Sequence, residues 1–160
     1  TKIYIPTLKE ILSFCNENEI GLNIELKPNQ GFEKNNVEAI AKLLSNFNFI
    51  NQFYFSSFDW SSLVLMKKFL PNAYCGLLID EFNKDISLKN VLDICEKHQF
   101  FCCGFNKNII NLDVLNEMKK HNLITTIYSE KNLKPNEANE LWSIGVKSIF
   151  IDDPTEFNIS

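Results

Sequence analysis

The chain has 160 residues, 45% of them apolar and 22% charged. That is the balance of a soluble globular protein with enough length to bury a substantial core, and it predicts one domain over residues 1–160. A net charge of −4 gives the chain as a whole no attraction for nucleic acid or anionic lipid. No apolar run reaches membrane-spanning length, and Thr1-Lys2-Ile3-Tyr4-Ile5-Pro6 is not a signal peptide. The expectation is a cytoplasmic protein with no stable membrane anchor. Cys15, Cys75, Cys95, Cys102 and Cys103 form no C-x-x-C pair, and His98 and His121 stand at no zinc-ligand spacing from them. Each cysteine lies in an apolar stretch, which predicts buried free thiols in a reducing compartment.

In chain order, Pro6-Thr7-Leu8-Lys9-Glu10 opens a first helix, with Thr7 and Glu10 at capping-box spacing. Leu8, Ile11, Leu12 and Cys15 recur at helical spacing, and Gly21 punctuates the end. A strand follows over 22–26, closed by Pro28. Val37, Ile40, Ala41 and Leu44 mark a helix face, 53–56 reads as a strand, and Asp59 caps a helix through Leu63 and Met66. A strand over 74–79 leads to a helix that begins after Ser87 and carries Leu88, Val91, Leu92 and Cys95. Strands over 100–105 and 123–128 flank a helix over 112–121. A last helix carrying Ala138, Leu141 and Trp142 stops at Gly145, before a strand over 148–151 that ends in Asp152-Asp153-Pro154. The phenylalanines Phe47, Phe49, Phe100, Phe101 and Phe105 read as core.

Six strands separated by helices of ten or so residues need crossover connections, which argues for one parallel sheet. An open doubly wound sheet and a closed barrel both fit that pattern. No G-x-G-x-x-G follows any strand, and the strand tips repeatedly carry polar residues: Glu25, Lys27, Ser56, Ser57, Asp80, Asn106, Ser129 and Asp152. Both features favour a (β/α)8 TIM-type barrel, whose active site gathers at the C-terminal strand ends. Six strands fall short of eight, so the chain reads as an incomplete barrel of about six βα units, unless the sheet is open.

The segment Gly21-Leu22-Asn23-Ile24-Glu25-Leu26-Lys27-Pro28 carries the chemistry. Strand alternation puts Leu22, Ile24 and Leu26 on one face and Asn23, Glu25 and Lys27 on the other, the barrel interior. Buried charges at a strand's C-terminal end are paired, metal-bound or functional, because leaving them unpaired costs several kcal/mol. A purely structural Glu25–Lys27 ion pair fits the same residues.

Several blocks in order resemble the glycerophosphodiester phosphodiesterases, in particular the bacterial cytoplasmic type. They are Ile5-Pro6-Thr7-Leu8 with Asn23-Ile24-Glu25-Leu26-Lys27-Pro28, then Ser56-Ser57-Phe58-Asp59, Gly76-Leu77-Leu78-Ile79-Asp80-Glu81, and Gly145-Val146 with Ile151-Asp152-Asp153-Pro154. The resemblance implies a (β/α)8 barrel that hydrolyses glycerophosphodiesters to sn-glycerol 3-phosphate and an alcohol. It implies a divalent cation, Mg²⁺ or Ca²⁺, with Glu25 among its ligands. It also implies Lys27 on the phosphate and Tyr128 as the aromatic lining the substrate site. Hard oxygen ligands suit such cations, and an ammonium neutralises phosphate charge.

The family's His-Arg-Gly segment, its first acidic ligands and its second catalytic histidine all precede the Pro-x-Leu block where this chain starts. No catalytic residue is therefore assigned within the chain, and the fragment alone is expected to be inactive. His98 and His121 fall near helix C-termini, at the face opposite the active site, where a histidine suits the helix dipole. The family's aromatic-Thr-Val-Asn becomes Tyr128-Ser129-Glu130-Lys131-Asn132, and Asp152 is read as a loop cap in preference to a site-edge residue. Two other readings remain: a related phospholipase-type barrel, and a truncated barrel that binds a ligand or partner without turnover. Open sheet edges at 22–26 and 148–151, with Ile24 and Ile149 beside them, predict association into a dimer or aggregate.

Overall fold

The computed structural model describes residues 3–47 and 53–157. Among them, helices α1 (Leu8–Glu17), α2 (Glu33–Leu44), α3 (Trp60–Phe69), α4 (Leu88–His98), α5 (Leu112–Lys120) and α6 (Pro135–Ser143) alternate with strands. The strands are β1 (Leu22–Glu25), β2 (Phe53–Ser57), β3 (Tyr74–Ile79), β4 (Cys102–Asn106), β5 (Ile124–Tyr128) and β6 (Ser148–Ile149). The chain divides into two compact units, Thr1–Tyr74 and Cys75–Ser160.

In the first unit β1 and β2 pair in parallel, Leu22 opposite Phe53 and Glu25 opposite Ser56. The Thr7–Glu10 capping box forms: the Thr7 hydroxyl accepts from Glu10 N at 3.3 Å, and Glu10 Oε2 accepts from Thr7 N at 2.7 Å. These bonds, led by the one from the Thr7 backbone, hold the Glu10 carboxyl below its ordinary pKa. Leu12 and Cys15 form the buried stripe of α1. Gly21 does not end this helix. Asn18 is its C-cap, and Glu19 takes the left-handed conformation at φ 55°. The reversal that favours glycine is thus made earlier by another residue.

In the second unit β3, β4, β5 and β6 pair in chain order, all parallel. Cys75, Leu77 and Ile79 alternate with Gly76 and Leu78, and all are buried. Burial on both faces is what a parallel sheet covered by helices requires. Ser87 caps α4 by accepting from Asn90 N, and Asn111 caps α5 by accepting from Val114 N. Gly145, at φ 106°, turns the chain after α6.

All five cysteines are buried free thiols, as expected. Cys95 and Cys103 touch sulfur to sulfur at 3.3 Å. Burial, then the neighbouring Cys95 and Cys75, pushes the Cys102 thiol up to about 12, so it is protonated and inert at neutral pH. Phe100 and Phe105 are core, whereas Phe47 and Phe101 are half-buried, and Phe49 lies outside the described residues. Phe101 sits just before β4, which begins two residues later than expected, at Cys102.

Candidate active site

In the first unit, the end of β2 is tied to the end of β1. Ser56 Oγ donates to Asn23 Oδ1 at 2.9 Å, and Ser57 Oγ donates to the Leu26 carbonyl at 2.7 Å. Ser57 Oγ also accepts from Asp59 N at 3.0 Å, and Asp59 then caps α3 through Ser61 and Ser62. The Ser-Ser-Phe-Asp run thus fixes one strand end against its neighbour and starts the next helix. Both serines are fully buried.

On that scaffold, Lys27 Nζ lies 3.2 Å from Glu25 Oε1. The side chains are 73% and 32% exposed, while Ile24 and Leu26 are buried. The alternation is as expected, with Ile24 and Leu26 buried and the two charged side chains on the other face, open to solvent in this chain. Both groups stand at the solvated end of the strand, where no burial penalty applies. A pair this exposed is worth about 0–1 kcal/mol. Glu25 offers one hard oxygen donor, whereas Mg²⁺ and Ca²⁺ take six or more. Among the described residues no three His, Cys, Asp or Glu side chains stand together to hold a metal ion. The residues present therefore fit one ligand of a cation site and do not make a site themselves.

In the second unit the registers stack side chains in layers on one face of the sheet. Gly104 of β4 faces Leu78 of β3 and Thr126 of β5. A Cβ on Gly104 would come within 2.6 Å of Leu78 Cδ2 and 2.9 Å of Thr126 Oγ1, so these neighbours close over it. One step along the strands, Asp80, Asn106 and Tyr128 form a polar layer. Asp80 Oδ1 accepts from Asn106 Nδ2 at 2.8 Å and from Tyr128 OH at 3.1 Å. Tyr128, expected as a substrate-lining aromatic, belongs to this layer.

A cleft of about 520 Å³ opens at the ends of β4 and β5, between Lys107, Ser129, Lys131, Asn132, Lys134 and Glu137. Two of its lysines are held by acids, Lys107 by Glu137 and Lys134 by Glu156. The Lys107 ammonium keeps the Glu137 carboxyl below its ordinary pKa. Asn132 Oδ1 accepts from the backbone amides of Asp152 and Asp153, at 2.8 and 3.1 Å. The cap in that loop is Asp153, which accepts from Thr155 N at 2.9 Å, and not Asp152 as expected. His98 is the last residue of α4 and His121 the C-cap of α5. His121 lines a cavity with Gln99, Phe100 and Leu123, at the starts of β4 and β5 and away from the strand ends.

The model of the glycerophosphoryl diester phosphodiesterase family matches residues 1–156. The chain belongs to this family. No curated protein matches it. Among solved structures, it is similar to a Silicibacter pomeroyi protein assigned as a glycerophosphoryl diester phosphodiesterase. The TM-score is 0.85 at 17% identity, over 96% of this chain and 55% of the other. It is also similar to an Oleispira antarctica phosphodiesterase solved with its product sn-glycerol-3-phosphate. There the TM-score is 0.80 at 21% identity, over 91% of this chain and 57% of the other. A glycerophosphodiester phosphodiesterase from Agrobacterium tumefaciens matches at TM-score 0.71 and 17% identity, over 96% and 61%. At such identities the likeness shows fold alone, and the fold is the TIM-type (β/α) barrel, of which this chain contributes six parallel strands with alternating helices. The chain spans little more than half the length of these relatives.

Within this family fold, Glu25 and Lys27 form the ion pair that their spacing on β1 allows, and Tyr128 joins a group that the strand ends assemble with Asp80 and Asn106. Asp80 and Asn106 stood out only as separate polar strand tips. The signal that joins them is a shared offset: Asp80, Asn106 and Tyr128 each follow Leu78, Gly104 and Thr126 by two residues. Recognising it requires the strand registers.

Proposed function

We propose that the protein containing this chain hydrolyses glycerophosphodiesters, releasing sn-glycerol 3-phosphate and an alcohol. The observation that carries this reading is the solvent-exposed Glu25–Lys27 pair at the end of β1, in a chain whose family match runs over residues 1–156. The product bound in the Oleispira antarctica relative is consistent with it. Lys27 binds a phosphoryl oxygen and offsets charge that builds as water adds to phosphorus and the bond to the alcohol oxygen breaks. Tyr128 lines the substrate. Glu25 is one ligand of a divalent cation, Mg²⁺ or Ca²⁺, which when bound supplies a Lewis acid for the phosphoryl oxygens.

Both histidines lie at helix C-termini, so proton transfer by histidine is not expected from this chain alone. In the complete protein, Glu25→Gln should lower release of glycerol 3-phosphate from glycerophosphocholine by about a hundredfold or more while the melting temperature holds, since an anionic ligand is lost from a hard site. Near-normal turnover would reduce Glu25 to a structural partner of Lys27.

A further inference from the structure

Asp80 ends β3 with its two oxygens in different states. Oδ1 accepts from both Asn106 Nδ2 and Tyr128 OH, and Oδ2 has no hydrogen bond among the described residues. Two donors on one oxygen fix the rotation of the carboxylate, so the other oxygen is aimed. Asn106 is pinned in turn: it is 6% exposed, and its Oδ1 accepts from Asn108 N at 3.0 Å. Below this layer Leu78 and Thr126, 7% and 6% exposed, close over Gly104. Asp80 itself is exposed, so the layer meets solvent only at the strand-end side.

The layer's remaining hydrogen-bonding capacity is specific. Asp80 Oδ2 is an anionic acceptor, and Asp80 makes no ion pair among the described residues. The Asn106 amide has a second N–H beyond the one given to Asp80. An acceptor and a donor side by side match a hydroxyl, which does both. An ammonium only donates, and a phosphate is repelled by the carboxylate.

We propose that Asp80, held in place by Asn106 and Tyr128, is a specificity-determining residue that accepts a hydrogen bond from a hydroxyl on the polyol part of the substrate. This rests on the phosphodiesterase reading.

Calorimetric titration of the protein with sn-glycerol 3-phosphate and with propyl phosphate tests it, because the two share the phosphate and differ in the hydroxyls. The wild type should prefer glycerol 3-phosphate by about tenfold or more, as expected for a hydrogen bond to a charged acceptor. Asp80→Ala should bring the ratio near one and leave the affinity for propyl phosphate within about twofold. Tyr128→Phe, which keeps the ring and removes one donor to Asp80, should lower the ratio partway, and it decides the matter if Asp80→Ala does not fold. A preference that appears only between glycerophosphoglycerol and glycerophosphoethanolamine, and depends on Asp80, would place the same hydroxyl on the alcohol side and also bear the proposal out. A wild-type ratio near one for both pairs, a ratio kept in Asp80→Ala, or a preference for phosphoethanolamine would overturn it. Failure of every phosphate ligand to bind would overturn the phosphodiesterase reading as well.

Discussion

Gly104 shows how tightly single positions are specified in the second unit. Its missing side chain is the space that Leu78 and Thr126 occupy from the flanking strands. Gly104→Ala should therefore destabilise the chain by about 1–3 kcal/mol through overpacking. Combining it with Leu78→Ala should cost less than the two changes added, because the truncated leucine vacates the site. Urea denaturation of the two single variants and the double variant measures this, and strict additivity would show that Gly104 and Leu78 do not compete for the space. The sequence marks Gly104 only as a glycine within an apolar strand. Its reason lies on β3 and β5, far away in the chain, and so could not be read locally. Glu25 and Lys27 were legible because their spacing, i and i+2 on one strand, is local. Their solvent exposure was not, because burial depends on what stands around the strand end.

At the scale of elements, helix starts were readable wherever one side chain caps its own helix. Thr7, Asp59 and Ser87 all do what their spacing implies. Helix ends were less so: Glu19, Gln99 and Asn122 all take positive φ where glycine is the usual signal. The cap at Asp59 also has a pH signature. Partial burial pushes its carboxyl up in pKa, but hydrogen bonds from the Ser62 and Ser61 side chains and amides outweigh this and hold it below its ordinary 3.8. A folded-state pKa below the unfolded one stabilises the fold above the unfolded value, and that contribution is lost as pH falls through the folded pKa. Asp59→Ala should thus cost about 1 kcal/mol at pH 7. The gap to wild type should narrow below pH 3.8 as the carboxylate takes up its proton. Chemical denaturation across that range reads it directly, and a gap unchanged at pH 2.5 would mean that the charge on Asp59 contributes nothing.

For the whole molecule, the alternation of strands and helices was written plainly in the periodicity, since each element has its own hydrophobic pattern. Which strand ends would share a polar layer was not, because that depends on register. Among the described residues β1 has only β2 beside it in the first unit, and β6 only β5 in the second. Ile24 is buried and Ile149 half-buried, so the apolar surface expected beside those edges is found elsewhere, at Ile3, Ile5 and Phe14, which are 97%, 93% and 56% exposed. Unpaired backbone together with exposed apolar side chains favours pairing with another chain. The 160-residue chain should therefore self-associate at micromolar concentrations in sedimentation velocity, and a compact monomer that resists concentration would refute this.

Under the proposed function, this chain supplies the Glu25–Lys27 part of a phosphodiesterase site and no proton-transfer group. Release of sn-glycerol 3-phosphate from glycerophosphocholine tests it most directly, measured with Mg²⁺ or Ca²⁺ on the 160-residue chain and on a longer protein that includes it. General acid and base groups each supply roughly 10²–10⁴-fold. Cation-dependent release by the longer protein, lost on Glu25→Gln, is expected, with no release above background by the chain alone. Turnover by the chain alone at the rate of the longer protein, or release by the longer protein that ignores Glu25→Gln, would contradict it.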